Sequence, residues 1–331
     1  MAVMSLLSVS LSAAEEGSLD MKSYIFGHVG DSYEWHITKV GDTEISVPLP
    51  CIVIDNGLHV FSSRNMEKNG YVLNEDGKIV NASTMKRPLD LSITKNVLAL
   101  MINAALLLVI ILVCARWYRK HDVLKEHPTG LAAVMEPVIM FVENDLVEGV
   151  IGPGYKKYSP YLLTAFFFIL INNLMGIFPF FPGGANTTGN IAVTFVLALF
   201  TFAMVNIFGT KEYFKEIFWP DVPVFLKVIP IMPLIEIIGV FTKPFSLMIR
   251  LFANTLGGHI MILSMIGLIF ISAGMGAAVN GSFTLVSLLL GVFLDCLEIM
   301  VAFIQAYVFT LLSAIFISLA HPEPEEQAAR Q

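Results

Sequence analysis

The chain has 331 residues, 56% of them hydrophobic and only 14% charged, with a formal net charge of −7 and three cysteines. A soluble domain is near 25% charged, so this composition excludes an ordinary soluble globule and describes an integral membrane protein. No basic patch or nucleic-acid motif appears, and Cys51, Cys114 and Cys296 show no CxxC step, so nucleic acid, a metal centre, a redox pair and a cofactor are not expected.

Residues 1–14 read as a signal peptide. Leu6–Leu11 is a short apolar run, and Ser12-Ala13-Ala14 is a small-residue cleavage site before Glu15. The usual basic segment is missing, and a disordered terminus is the alternative. Residues 15–92 form a polar extension. Turn signals at Asp55-Asn56-Gly57, Lys68-Asn69-Gly70 and Glu75-Asp76-Gly77 separate short alternating runs, which predicts small β-hairpins. His28, His36 and His59 lie here without ligand spacing and read as exposed loop or strand residues.

Residues 93–320 form the membrane domain. Its first span, Val97–Ala115, ends at a basic and aromatic anchor from Arg116 to Lys120 that marks the cytoplasmic side. Residues 129–150 set Val134, Val138, Phe141 and Val142 against Glu136, Glu143, Asp145 and Glu148, an amphipathic stretch for the inner surface. The second span, Pro160–Phe181, follows Lys156 and Lys157 and exits into a loop, Pro182–Gly189, without Lys or Arg. The third, Asn190–Phe208, lands at Lys211 and Lys215. Positive charge thus alternates, with the extension outside.

Pro220, Pro223, Pro230 and Pro233 break residues 217–233 into a re-entrant or interfacial segment. Leu234–Ser272 then reads as one helix of about 39 residues, nearly 60 Å, which must tilt strongly or bend, with Gly257-Gly258 as the bend point. Asn280-Gly281-Ser282 is the expected turn, Phe283–Ala320 the return helix, and residues 321–331 an acidic cytoplasmic tail. The expected fold is an all-α polytopic membrane protein of about five spans with a long tilted helical hairpin and a small β-rich extracytoplasmic extension.

The polar groups on the hairpin carry the chemistry. Arg250 lies inside an apolar helix, where a mid-bilayer charge costs roughly 2.5–3.5 kcal/mol and cannot be relieved by deprotonation. At about 100° per residue, Glu236, Lys243, Arg250 and Gly257 share one stripe flanked by Ser246 and Asn254, while His259 falls on about the opposite face. On the return helix Asp295, Glu298, Ala302 and Gln305 share a stripe. Arg250 is a fixed cation, His259 and Glu298 can carry protons, and Asn254 and Gln305 can hydrogen-bond water and carboxylates. No acid within helical reach pairs with Arg250, so its counter-charge is expected from another protein; an ion pair with Glu298 across the hairpin is the other reading. Lys243 reads as a snorkelling anchor at the inner surface, with a relay as the alternative. Glu236 lines an inner vestibule or caps a broken helix, Asp295 is an accessory group or plain hairpin polarity, and Asn190 is a helix start or a channel lip. Asn172 and Asn173 are expected to hydrogen-bond between helices.

The run from Lys243 to Asn254 resembles the most specific segment of subunit a of the F-type ATP synthases. The steps from Arg250 to His259 and from Glu298 to Gln305, with Asn172–Pro179 and Leu234–Glu236, are similar to that family in the same order, over roughly residues 91–320. The resemblance implies a non-catalytic membrane stator of the proton-transporting enzyme, in a bacterial inner membrane, working with a ring of c subunits, the peripheral stalk subunit b and the remaining complex. It implies that Arg250 separates two half-channels, that His259, Glu298, Gln305 and Asn254 line the outer one, and that Glu236 serves the inner one. His259 and Glu298 stand swapped relative to enterobacterial members, as in mitochondrial ones. The extension lies outside the common core. A self-contained proton channel or secondary transporter would instead show an internal repeat, and no second copy of the Arg250 segment is present. A third reading, a membrane anchor for a functional outside domain, leaves the Arg250 stripe unexplained.

Overall fold

Alternating apolar residues between Glu34 and Asp90 form short antiparallel strands. β1 (Glu34–Val40) pairs with β2 (Thr43–Pro48). β3 (Pro50–Ile54) pairs with β4 (Leu58–Ser62) on one side and β7 (Leu89–Asp90) on the other, and β5 (Tyr71–Leu73) pairs with β6 (Ile79–Asn81). The turn signals fall as expected. Gly57 lies in the β3–β4 connection, while Gly70 and Gly77 have φ of 80° and 68°, left-handed values that glycine adopts without a Cβ clash. The period of two turns Cys51, Val53 and Phe61 inward, where they pack with Tyr33, Met66, Tyr71 and Ile79. His59 is exposed, as expected.

This computed structural model describes residues 30–40, 43–55, 57–74, 76–122, 125–178, 182–218 and 231–321. The signal-peptide segment, His28, Pro220, Pro223, Pro230 and the tail after His321 lie outside them. Two compact units divide the described residues. One holds the residues up to Asn103 with Asn172–Asn190 and Leu256–Ile299. The other holds Ala104–Ile171, Ile191–Thr255 and Met300 onward.

The apolar runs are helical: α1 (Lys95–Lys120), α2 (Leu131–Met140), α3 (Ser159–Ile177), α4 (Ile191–Ile207), α5 (Lys211–Phe218), α6 (Ile231–Ser272) and α7 (Ala277–Ala320). Among the described residues α1, α3, α6 and α7 are long and apolar enough to cross a bilayer, and α4 is a shorter apolar helix. At 42 and 44 residues, α6 and α7 each run for ~65 Å, about twice the hydrocarbon thickness. Pro233 is tolerated in α6 because it occupies the first turn, where its missing N–H has no partner to lose.

Two expectations are corrected. Asn280, Gly281 and Ser282 are helical, and the chain reverses earlier, at Ala273–Gly276. Gly276 takes φ of 97°, and the Ser272 hydroxyl donates to Asn280 Oδ1 at 2.8 Å, so Asn280 fastens the turn rather than forming it. The second membrane helix stops at Ile177, short of Phe181. Residues 141–148 widen into a π-helix after α2, which turns Val142, Leu146 and Val147 into the core while Val134 stays 65% exposed.

In the second unit, Leu162, Phe166 and Ile169 of α3 pack with Leu247 and Leu251 of α6 and with Phe309 and Ile317 of α7. All seven are buried to 2% or less. The end of α7 is fastened as well. The Ala320 carbonyl accepts from both the amide and the hydroxyl of Thr210 at 3.1 Å, and the His321 ring bonds the Phe208 carbonyl.

Candidate ion-translocation site

Within the second unit, burial of Leu247 and Leu251 sets the rotation of α6 about its axis. It leaves Ser246, Arg250, Ala253 and Asn254 exposed. Among the described residues no carboxylate forms an ion pair with Arg250. Asn254 Nδ2 donates to Gln305 Oε1 at 2.8 Å, joining α6 to α7. Gln305 is 4% exposed, so its amide is held inside the unit while Asn254 reaches the surface.

Lower on α6, Lys243 Nζ stands 5.6 Å from the centroid of the Phe316 ring, a cation–π arrangement that offsets part of its desolvation. A cavity of about 10 Å³ lies beside it, lined in part by Thr201, Asn206, Tyr213 and Lys243. That volume is at the lower limit for one water. Burial, and then the negative charge of Glu236, raise the Tyr213 phenol above its usual range, so Glu236 acts electrostatically on the α5 side of this unit. Glu236 itself is exposed.

The first unit holds the titratable pair. His259 and Glu298 are half-buried, as is Asp295. Gly176 of α3 lies against His259, since a Cβ there would stand 3.2 Å from its Nε2. Gly258 lies against Glu298, where a Cβ would meet Oε1 at 2.7 Å. Glu298 Oε2 is buried without a hydrogen-bond partner among the described residues. A buried carboxylate oxygen left so costs free energy unless a proton or water reaches it. No ion pair joins His259 to Glu298 among the described residues.

Asn172 bonds between helices as expected, and both asparagines bond the segment before α4. Asn172 Oδ1 accepts from Asn103 Nδ2 on α1 at 3.0 Å and from the Thr187 hydroxyl at 3.1 Å, while Asn173 Oδ1 accepts from Thr188 at 2.6 Å. Asn190 directly precedes α4, a helix-start position, with its amide on the Thr187 carbonyl. The contact of Gly176 with His259 was missed by sequence reasoning, because a glycine inside an apolar helix carries no sign of what faces it. Gly258 was legible as a small residue on α6 that lets a neighbouring helix approach closely.

Long apolar helices bearing an arginine, a histidine and acids at helical spacing define a multi-span membrane protein of the ion-transporting class. Comparison gives the family. Residues 98–318 match the family described as ATP synthase A chain. The chain is 40% identical to ATP synthase subunit a of Chlorobium phaeobacteroides over 78% of this chain and 74% of that protein. It is 44% identical to ATP synthase subunit a 2 of Prosthecochloris aestuarii over 72% of each. With subunit a of Anaeromyxobacter dehalogenans it is 41% identical over 69% of this chain and 58% of that protein. The chain belongs to the ATP synthase A chain family, the non-catalytic membrane subunit of that enzyme. Residues 24–97 match a second model, described as a domain of unknown function.

Proposed function

We propose that this subunit is the proton-carrying stator of a bacterial F-type ATP synthase and offers two aqueous half-channels to carboxylates on a ring of c subunits. The observation that carries the reading is Arg250, an exposed guanidinium on an apolar helix with no ion-pair partner among the described residues. Left against lipid it would cost roughly 2.5–3.5 kcal/mol, and it cannot shed its proton. A carboxylate presented by a neighbouring subunit removes that cost. As each ring carboxylate passes, the fixed cation favours its ionised form, so the proton must leave before the carboxylate reaches Arg250.

Asn254 and Gln305 form an amide pair beside that position and can hydrogen-bond water or a passing carboxylate. His259 and Glu298 hold and release protons on the outer side, with Asp295 and Asn190 as accessory groups. Glu236 serves the inner side, with Lys243 and Ser246 beside it. The extension is outside, the C-terminus cytoplasmic, and subunit b and the remaining complex hold the subunit still against the turning ring.

The test is ATP-driven proton pumping in inverted membrane vesicles. Arg250→Ala and Arg250→Lys are each expected to fall to background, the second because an ammonium lacks the planar fork and loses charge readily when desolvated. Coupled pumping near the unmutated level in either variant refutes the separator role.

A further inference from the structure

We propose that the N-terminal extension is the outer wall of the proton uptake path, with Trp35 as the positioning residue that holds it in place; this rests on the half-channel reading above. Trp35 of β1 is 4% exposed and packs against Ala99 of α1 and Ala185 of the segment between α3 and α4, with Val47, Leu98 and Ile102 around it. The extension is therefore bound to that segment, not simply tethered to it.

The held segment leads to the titratable histidine. A Cβ on Gly176 would lie 3.2 Å from His259 Nε2 and 3.6 Å from the Ala185 carbonyl oxygen, so the ring and the segment meet at one glycine. Gly184 donates its amide to Met175, and Thr187 and Thr188 bond Asn172 and Asn173. Moving Ala185 would shift everything beside His259.

The residues that flank Ala99 and Ala185 along the chain, and those bonded to them, are polar and buried. Asn96, Asn103, Asn172, Asn186, Thr187 and Thr188 are each 3% exposed or less. Asn96 Oδ1, Asn103 Oδ1 and Asn186 Nδ2 have no hydrogen-bond partner among the described residues. Such atoms are too costly to bury dry and are satisfied by water, which is what a path for protons needs. An apolar tryptophan closing one side of a hydrated amide cluster makes a wall: water stays in line with His259, and bulk solvent stays out.

The test uses the whole ATP synthase in native membranes, purified through the catalytic part so that only assembled complexes count. Thr188→Cys is introduced, and its modification by a membrane-impermeant maleimide is read by mass spectrometry of that peptide. With Trp35 present, labelling is expected to be slow. Trp35→Ala should speed it about tenfold or more and lower ATP-driven proton pumping severalfold, while Trp35→Phe, which keeps an aromatic wedge, should restore both. If Trp35→Ala does not assemble, Trp35→Leu takes its place. Unchanged labelling overturns the proposal, and so does faster labelling with unaltered pumping. His259→Ala with the extension intact separates the two ideas: surviving pumping there refutes the half-channel reading whatever Trp35 does.

Discussion

The side-chain amide of Asn254 donates to that of Gln305 at 2.8 Å, across 51 residues of sequence. The bond fixes how α6 and α7 face each other one turn from Arg250, and leaves the Asn254 oxygen and the Gln305 nitrogen for other partners. Replacing either residue by Leu strands the other, a loss of about 1–3 kcal/mol when the survivor is buried. Gln305→Leu and Asn254→Leu should each lower proton pumping, and the double variant should be no worse than the poorer single. Losses that multiply would show that the two amides act separately.

Gly258 is the narrowest point against Glu298. An alanine there would place its Cβ 2.7 Å from Oε1, and the flexible carboxylate must swing away. The chain should still assemble, because the obstructing atom is the end of a side chain. Displacing a reacting group by about 1 Å can cost two orders of magnitude, so pumping is expected to fall on the order of tenfold. Gly281→Ala, with no neighbour within 4 Å, should pump normally. Equal activity in both would remove Glu298 from the path.

His259 and Glu298 lie in one unit, each pressed against a glycine, and they supply one base and one acid. His259→Glu gives two acids and Glu298→His two bases, and each single change should impair pumping. The double swap should recover part of the loss, since the path needs one group of each kind. A double variant as poor as the product of the singles would mean that they serve different paths.

Asp90 offers a pH test in the extension. Burial alone would raise its carboxyl, but the hydroxyl and amide of Ser92 and the Tyr33 hydroxyl hold it below the usual range. Its native pKa is therefore depressed, the unfolded chain binds more protons, and stability rises with pH across that window. The contribution is complete above the usual carboxylate value of about 3.9 and is lost as pH falls through the depressed native value. Corrected hydrogen exchange of β3 and β7 amides should show protection fading on acidification, and Asp90→Asn should flatten the profile. At the alkaline end, burial and Asp90 raise the Tyr33 phenol, so protection should weaken again above about pH 10.

Much of this was legible in the sequence because it is periodic. The stripe through Arg250, the turn at Gly70, the hairpin turn at Gly77 and the apolar runs of α1, α3, α6 and α7 all follow from spacing along one element. The pairing of Asn254 with Gln305 was half legible: both amides stood out, but only packing says that they touch. Asn280 misled because a polar Asn-Gly-Ser run ordinarily marks a turn, and here Asn280 staples a turn made by Gly276. The contact of Trp35 with Ala185 spans 150 residues and has no local signature at all.

The doubly bonded carbonyl at the end of α7 has a mechanical meaning. Thr210 grips Ala320 by two bonds and His321 holds the Phe208 carbonyl, so the last helix is a beam with a clamped end. A clamped beam answers a sideways push by bending and springing back, where a free one would slide. Torque applied along α7 would therefore be carried into α4 and α5 rather than spent on shifting the register of Gln305 against Asn254.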